Sequence, residues 1–266
     1  MKIEILEEND RKMTFLLSDS NPAFANALRR VMTGEVPVMA VDFVDFEKNS
    51  TGLYDEVIAH RLGMIPLRFN RKTYGMKSEC SCKGKGCSKC QAILSFDSSK
   101  KHPKPSEDRI FVVSGDLESD DEDVVPVSPD VPIVEILDGQ ELKFDAVAVM
   151  GIGRNHSKWQ ASNTGYMYYP SVKISSDKCK KCGNCAQICS RGVFDPKSFT
   201  VKKAENCSLC MRCVEICGSD AITVKGDETS FIFTVESVSG LSPKEILHDA
   251  LGVVEEKAKE FLKEIK

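Results

Sequence analysis

Twelve cysteines are the residues of this 266-residue chain whose type and spacing could do chemistry, and eight of them fall in two matching runs. The runs are Cys179, Cys182, Cys185 and Cys189 in DKCKKCGNCAQICSRGVF, then Cys207, Cys210, Cys213 and Cys217 in ENCSLCMRCVEICGSDAI, 28 residues later. Each reads C-x2-C-x2-C-x3-C, a spacing that holds 4Fe-4S cubes. Three thiolates fit a tight loop around one cube, while the fourth is carried into the following helix and ligates the other. The assignment therefore crosses, with Cys179, Cys182, Cys185 and Cys217 on one cluster and Cys207, Cys210, Cys213 and Cys189 on the second. Disulfides and zinc are the competing uses of these thiols, and a repeat of the full four-cysteine run disfavours both. Ser190 and Gly218 stand where a proline usually follows the fourth cysteine, which leaves open a 3Fe-4S form at one site.

The other four cysteines, Cys80, Cys82, Cys87 and Cys90, lie within SECSCKGKGCSKC. C-x-C-x4-C-x2-C on a Gly- and Lys-rich loop suits tetrahedral zinc, which accepts four thiolates at about 2.3 Å. The lysines offset the charge of four thiolates. Iron, or a reduced loop without metal, remains the alternative. With metal the role would be structural, because so few apolar residues cannot order the loop alone.

Other candidates are weaker. His60 has no second His or Cys beside it and reads as a packing or hydrogen-bonding histidine. The acidic run Asp116 to Asp123 reads as a solvated hairpin tip. Gly151 to Trp159 (GIGRNHSKW) lacks the G-x-G-x-x-G pattern of a phosphate loop, and Trp159 reads as a packing anchor. No carboxylate pair or aspartate triad suited to nucleotidyl transfer is evident, and no catalytic residue is assigned.

The elements that must position these cysteines can be read from periodicity. Ile3, Ile5 and then Met13, Phe15, Leu17 suggest two half-buried strands around a polar turn, Glu7 to Arg11. Asn21 and Pro22 open a helix with Phe24, Ala27, Leu28 and Val31 on one face, ended by Gly34; Arg29 and Arg30 beside that face read as solvated charges. Strands follow at Val36 to Phe46, 91 to 97, Ile110 to Val113 and Glu141 to Val149, with a short helix at Glu56 to Leu62. Lys100 to Pro105 reads as a link, and Val124 to Val134, with three prolines, as an extended edge. Tyr166 to Ile174 leads into the paired runs, and Ala221 to Lys225 leads out. A turn is expected at Gly226-Asp227, then a strand over Thr229 to Val238. Ser242-Pro243-Lys244-Glu245 starts a last helix with a capping box. On it Leu247, Leu251, Val254, Ala258, Phe261 and Ile265 form one apolar stripe, which suits either the chain's own sheet or a partner helix.

Thirty-six basic and 40 acidic residues give a net charge of -4 and a pI near 5.7, which argues against general attraction to nucleic acid. The charged N-terminus lacks the apolar core of an export signal, and no run approaches the roughly 20 apolar residues of a membrane span. Thiol-rich metal motifs in such a chain suit a reducing cytoplasm.

Three segments then carry a resemblance. NPAFANALRRVMTGEVPVMAVD (21 to 42), YDEVIAHRLGMIPL (54 to 67) and GIGRNHSKWQ (151 to 160) resemble the archaeal D family of RNA polymerase subunits, related to the third-largest subunit of eukaryotic polymerase II and to the N-terminal domain of bacterial alpha. Some members carry a ferredoxin-like insert, and the eukaryotic homologue has a zinc loop of comparable spacing. The resemblance implies an α+β chain with a discontinuous dimerisation domain (1-47 plus 226-266), an inserted β-rich domain (48-172) and a ferredoxin-like βαββαβ-type domain (173-225). It implies a noncatalytic assembly subunit that pairs with small subunit L and carries the large subunits and the other small subunits of the platform, with little direct nucleic-acid contact and no membrane. Phe24, Leu28, Arg29 and Arg30 become interface candidates, as do Leu247, Leu251, Val254 and Phe261, and the segment around His156, Lys158 and Trp159 would meet large subunits. A ferredoxin-type electron-transfer protein is the alternative. The absence of a flavin or nicotinamide loop, and polymerase-like segments on both sides of the cysteines, weigh against it.

Overall fold

A computed structural model of the chain describes residues 1–101 and 109–265, so residues 102–105 of the expected link lie outside the described residues. In chain order the elements are β1 (Lys2–Glu8), β2 (Lys12–Ser18), α1 (Pro22–Gly34), β3 (Val38–Asn49), α2 (Asp55–Gly63), β4 (Leu67–Arg68), β5 (Gln91–Asp97), β6 (Arg109–Val113), β7 (Glu118–Ser119), β8 (Val125–Pro126) and β9 (Pro132–Leu137). They continue with β10 (Leu142–Gly151), β11 (Ser162–Ile174), α3 (Asn184–Ile188), α4 (Arg212–Glu215), β12 (Ile222–Ser237) and α5 (Pro243–Glu264). Two compact units result. The first gathers Met1–Glu8, Met13–Ala27 and Gly165–Thr234, and the second Asn9–Lys12, Leu28–Thr164 and Val235–Lys266.

The first unit is built on a sheet of order β1-β2-β12-β11. Met13, Phe15 and Leu17 alternate inward on β2, as a period of two requires, and all three are buried. Phe15 stacks on Phe233 with ring centroids 5.0 Å apart, and Tyr166 meets Phe231 edge-on at 5.6 Å. The expectation of a half-buried first strand fails. Among the described residues β1 pairs antiparallel with β2 alone and is exposed along its length, Ile3 and Ile5 included, because it is the edge of the sheet and none of those residues forms a layer over it.

The expected turn at Gly226-Asp227 is also absent, since β12 runs unbroken through both residues. The glycine serves close approach instead. A Cβ at Gly226 would lie 2.6 Å from Tyr168 Cβ. Gly226→Val is therefore expected to destabilise the fold by about 1–3 kcal/mol through overpacking, read as a lowered midpoint in denaturant unfolding.

The second unit contains a sheet of order β3-β10-β5-β7, with β10 pairing antiparallel to both β3 and β5. The pairs β4-β8 and β6-β9 complete its strands, and α2 packs on β3. Trp159 is a packing anchor here, since its Nε1 donates to Val149 O at 3.2 Å and a Cβ at Gly151 would strike its ring.

Both long helices have identifiable starts. Asn21 Oδ1 accepts from Phe24 N–H at 2.9 Å to open α1, although the buried stripe is Ala25, Leu28, Val31 and Met32, with Ala27 exposed. Ala25, Leu28 and Met32 recur at three and four residues, so they share a face that Ala27 misses. Ser242 and Glu245 form the capping box of α5 as expected. Ile246 and Ala250 bury its first half, whereas Phe261 is 68% and Ile265 65% exposed. No helix of the described residues is long and apolar enough to cross a membrane.

Candidate functional site

The loop Cys80 to Cys90 gathers its four thiols without a gap. Their Sγ atoms all lie within 4.8 Å of one another, with Cys80–Cys87 at 3.5 Å, Cys82–Cys90 at 3.6 Å and Cys87–Cys90 at 3.8 Å. Tetrahedral ligation at about 2.3 Å places sulfurs about 3.8 Å apart, so the set matches a single zinc-sized ion. A four-iron cube, with each thiolate on its own iron, needs wider spacing. The thiols are free, and these separations exceed the roughly 2.05 Å of a disulfide.

Local backbone chemistry explains the gathering. Lys83, Gly84 and Gly86 take positive φ values of 55°, 79° and 94°, which turn the chain between the two ligand pairs. Position 86 favours glycine because its φ of 94° is one that side-chain-bearing residues rarely adopt. Cys90 N–H donates to Cys87 O at 2.9 Å, closing the second pair. Cys90 is buried and immediately precedes β5, which ties the loop to the second unit's sheet.

The loop splits its thiols electrostatically. The backbone N–H of Gly86 lowers Cys82 to about 6, and burial pushes Cys90 up to about 12. At neutral pH Cys82 is thus a ready thiolate, while Cys90 must give up a proton on ligation. Metal uptake is expected to release protons at pH 7 and to weaken steadily as pH falls, because protons compete for the ligand sulfurs. Zinc titrations at pH 5, 6 and 7 with a proton-sensitive dye check both.

In the first unit the two cysteine runs repeat in the backbone as well as in sequence. Positive φ recurs at Lys181 and Leu209, at Gly183 and Met211, and at Gly192 and Asp220, each pair 28 residues apart. Ala186 and Gln187 donate to Gly183 O just as Val214 and Glu215 donate to Met211 O. The helices α3 and α4 begin at these equivalent points and pack on each other.

Cys179, Cys182 and Cys185 of the first run line one recess with Cys217 of the second, beside Ile174, Gly183 and Phe199. Burial pushes up the Cys213 thiol, and Cys207 and then Cys189, from the other run, add to the shift. Cys210 is exposed in its loop. Cys207 and Cys213 lie in a small core with Val193, Phe194, Ile222 and Val224, against which Cys185, Cys189 and Cys217 pack. Backbone N–H groups already face some of them. Ala221 N–H lies 3.4 Å from Cys217 Sγ and holds that thiol below its usual range, and the N–H of Arg212 does the same for Cys210.

Charge fits the same use. Residues 173–225 carry ten Lys and Arg against five Asp and Glu, and none of the ten enters a salt bridge among the described residues. This excess of cations would offset the negative charge of metal held by thiolates.

The remaining candidates divide. Leu28 is fully buried inside its own chain, which removes it from the interface set: it belongs to the core stripe of α1. Phe24 and Arg29 are half-buried and Arg30 is exposed. On α5, Leu247 and Val254 are half-buried, and Leu251 and Phe261 are 38% and 68% exposed. His60 is exposed on α2 rather than packed, since Ile58 and Leu62 take the inward face of that short helix. The acidic turn is not merely solvated: Asp120 Oδ1 accepts from Ile93 N–H at 2.8 Å, and Asp121 and Asp123 accept from Tyr74 and Asn70. Lys158 turns inward, with Nζ 2.7 Å from Asp42 Oδ1 and 4.3 Å over the Trp159 ring. Sequence reasoning missed the ties made by Tyr74 and Arg71, as neither residue falls in a periodic or motif-bearing stretch.

Residues 44–170 match the family described as RNA polymerase Rpb3/RpoA insert domain. The chain is 43% identical over 265 residues to the DNA-directed RNA polymerase subunit Rpo3 of Archaeoglobus fulgidus, covering 98% of this chain and 97% of that one. It is 39% identical to the Rpo3 of Methanosarcina acetivorans, with 98% and 97% covered, and 37% identical to that of Methanothermobacter thermautotrophicus, with 98% of each covered.

Proposed function

The chain belongs to the archaeal Rpo3 family of DNA-directed RNA polymerase subunits, and from that membership we propose that it is a noncatalytic assembly subunit whose α5 pairs with a second small subunit, subunit L of the family it resembles. The observation that carries this reading is the uncovered apolar stripe of α5, with Leu251, Phe261 and Ile265 exposed on a helix that is otherwise well capped and anchored. A stripe at four- and three-residue spacing is the pattern by which helices pair. Phe24, Arg29 and Arg30 of α1 join Leu247, Leu251, Val254 and Phe261 as the residues that meet partner subunits. In this reading residues 1-47 plus 226-266 form the dimerisation domain, 48-172 an inserted domain, and 173-225 a ferredoxin-like domain.

Cys80, Cys82, Cys87 and Cys90 would hold zinc. Cys179, Cys182, Cys185 and Cys217 would hold one 4Fe-4S cluster, and Cys207, Cys210, Cys213 and Cys189 the second. What the bound metals supply is cross-linking of segments that bury too little apolar surface to order themselves. The protein's own residues do the rest. Turns at the repeated positive-φ positions aim the thiols, backbone N–H groups stabilise the charged sulfurs, and Val193, Phe194, Ile222 and Val224 keep water out. Membership over the whole chain in a polymerase-subunit family weighs against an electron carrier.

Anaerobic co-purification tests the proposal. Subunit L and the large subunits are expected to come down with the chain, carrying about eight irons and about one zinc per chain. Recovery of the chain without polymerase subunits overturns the assembly role, and absence of iron overturns the cluster assignment alone.

A further inference from the structure

Within the second unit, residues 69–79 are tied both to the four-cysteine loop and to α5. On the loop side, Gly75 N–H donates to Lys89 O at 3.0 Å, one residue before Cys90. Separately, the buried Tyr74 donates its hydroxyl to Asp121, and Asn70 Nδ2 donates to Asp123 Oδ2 at 3.1 Å, which ties the segment to the acidic turn rather than to the loop. On the helix side, Arg71 Nη1 lies 3.5 Å from Glu245 Oε1, and Nη2 pairs with Asp249. Glu245 is also the reciprocal member of the α5 cap, its Oε2 accepting from Ser242 N–H and Oγ at 2.8 Å each.

Two features make this pair more than a solvated surface contact. Asp249 is only 19% exposed at its side chain, so the pair is less screened than an open one. The planar guanidinium fork also engages two carboxylates one helical turn apart, which fixes direction as well as distance. A groove lined by Phe69, Met76, His248, Gly252 and Val253 separates the segment from the helix elsewhere. Arg71 therefore bridges an open gap rather than sitting in a packed layer.

The geometry points to Arg71 as a positioning residue that couples metal occupancy at Cys80, Cys82, Cys87 and Cys90 to the order of the first half of α5. This rests on the reading of those cysteines as a metal site and, for its consequence in assembly, on α5 as the pairing helix. Metal gathers residues 80–90, which keeps Lys89 in place for Gly75 and so holds Arg71 within reach of both carboxylates. The coupling is reciprocal: a partner that orders α5 tightens metal binding at the loop.

Hydrogen exchange on the full chain loaded with zinc alone tests it without any partner. Removing zinc with a chelator is expected to raise amide exchange over residues 244–257 at least about fivefold and to leave α2 unchanged. In Arg71→Ala the exchange of α5 is already raised in the zinc-loaded chain and chelation adds little. Asp249→Asn gives the same pattern, and Arg71→Lys, which keeps the charge and loses the fork, falls between. Zinc bound at one per chain with α5 exchange unmoved by its removal overturns the coupling and leaves the metal site standing. A chain that takes up no zinc overturns both. Altered exchange with normal recovery of L separates this coupling from the pairing itself.

Discussion

Cys217→Ser is expected to empty the cluster site of three cysteines that lie 32 to 38 residues upstream of it, and to spare the site of its own neighbours. Iron per chain should fall from about eight to about four, the content of one 4Fe-4S cluster. Under anaerobic alkylation Cys179, Cys182 and Cys185 should become reactive while Cys207, Cys210, Cys213 and Cys189 stay protected. The prediction follows from the recess that Cys217 shares with the first run. Uncrossed ligation would expose Cys207, Cys210 and Cys213 instead, and that pattern would refute the assignment. The double variant Cys179→Ser with Cys207→Ser should leave a segment of roughly 50 residues without cross-links, too small to hold a firm core. Addition of the large subunits is then expected to fail, as after oxygen exposure, while pairing with L survives. Unchanged polymerase assembly would show that the segment does not build that surface.

The second large effect belongs to the other end of the chain. Leu251→Asp together with Phe261→Asp should abolish recovery of L with the chain. Each side chain buried at a helix pairing contributes about 1.5–3 kcal/mol, so the double change removes enough to weaken binding more than about a hundredfold. Neither residue is buried in its own chain, and the variant should therefore retain the wild-type unfolding midpoint. Normal co-purification with L would move the pairing surface elsewhere.

Much of this was legible in the residues. The alternation of Met13, Phe15 and Leu17, the Ser242-Pro243-Glu245 start and the strand at 91 to 97 depend on short-range rules, and the structure contains them. The four thiols of the 80–90 loop were legible for the same reason, since their ligand geometry is set by turns a few residues long. Errors arose where distant chain decides. Ile3 and Ile5 alternate like a half-buried strand, but what covers a strand is set by sheet order, and β1 is an edge. Gly226-Asp227 has turn composition, yet Tyr168, 58 residues earlier, makes the glycine a close-approach point within a continuous strand. Leu28 and Phe24 sit on one helix, and only the three-dimensional packing separates the buried residue from the half-buried one. Arg71 carries no local signal at all, because its partners are more than 170 residues away.

The recess that joins Cys217 to Cys179, Cys182 and Cys185 also bears on the order of events at the ribosome. The first run is complete at Cys189, 28 residues before Cys217, which at 5–20 residues per second is about 1–6 s of translation. Over that interval the nascent chain presents four reduced thiols of the first run with no complete site to receive a cube. On the proposed crossed ligation, delivery of the first cube would wait until the second run has emerged, by which time both sites would be complete. Under that proposal the repeat would favour loading of the two cubes as a single late event and would leave the newly made segment more open to oxidants than the finished protein.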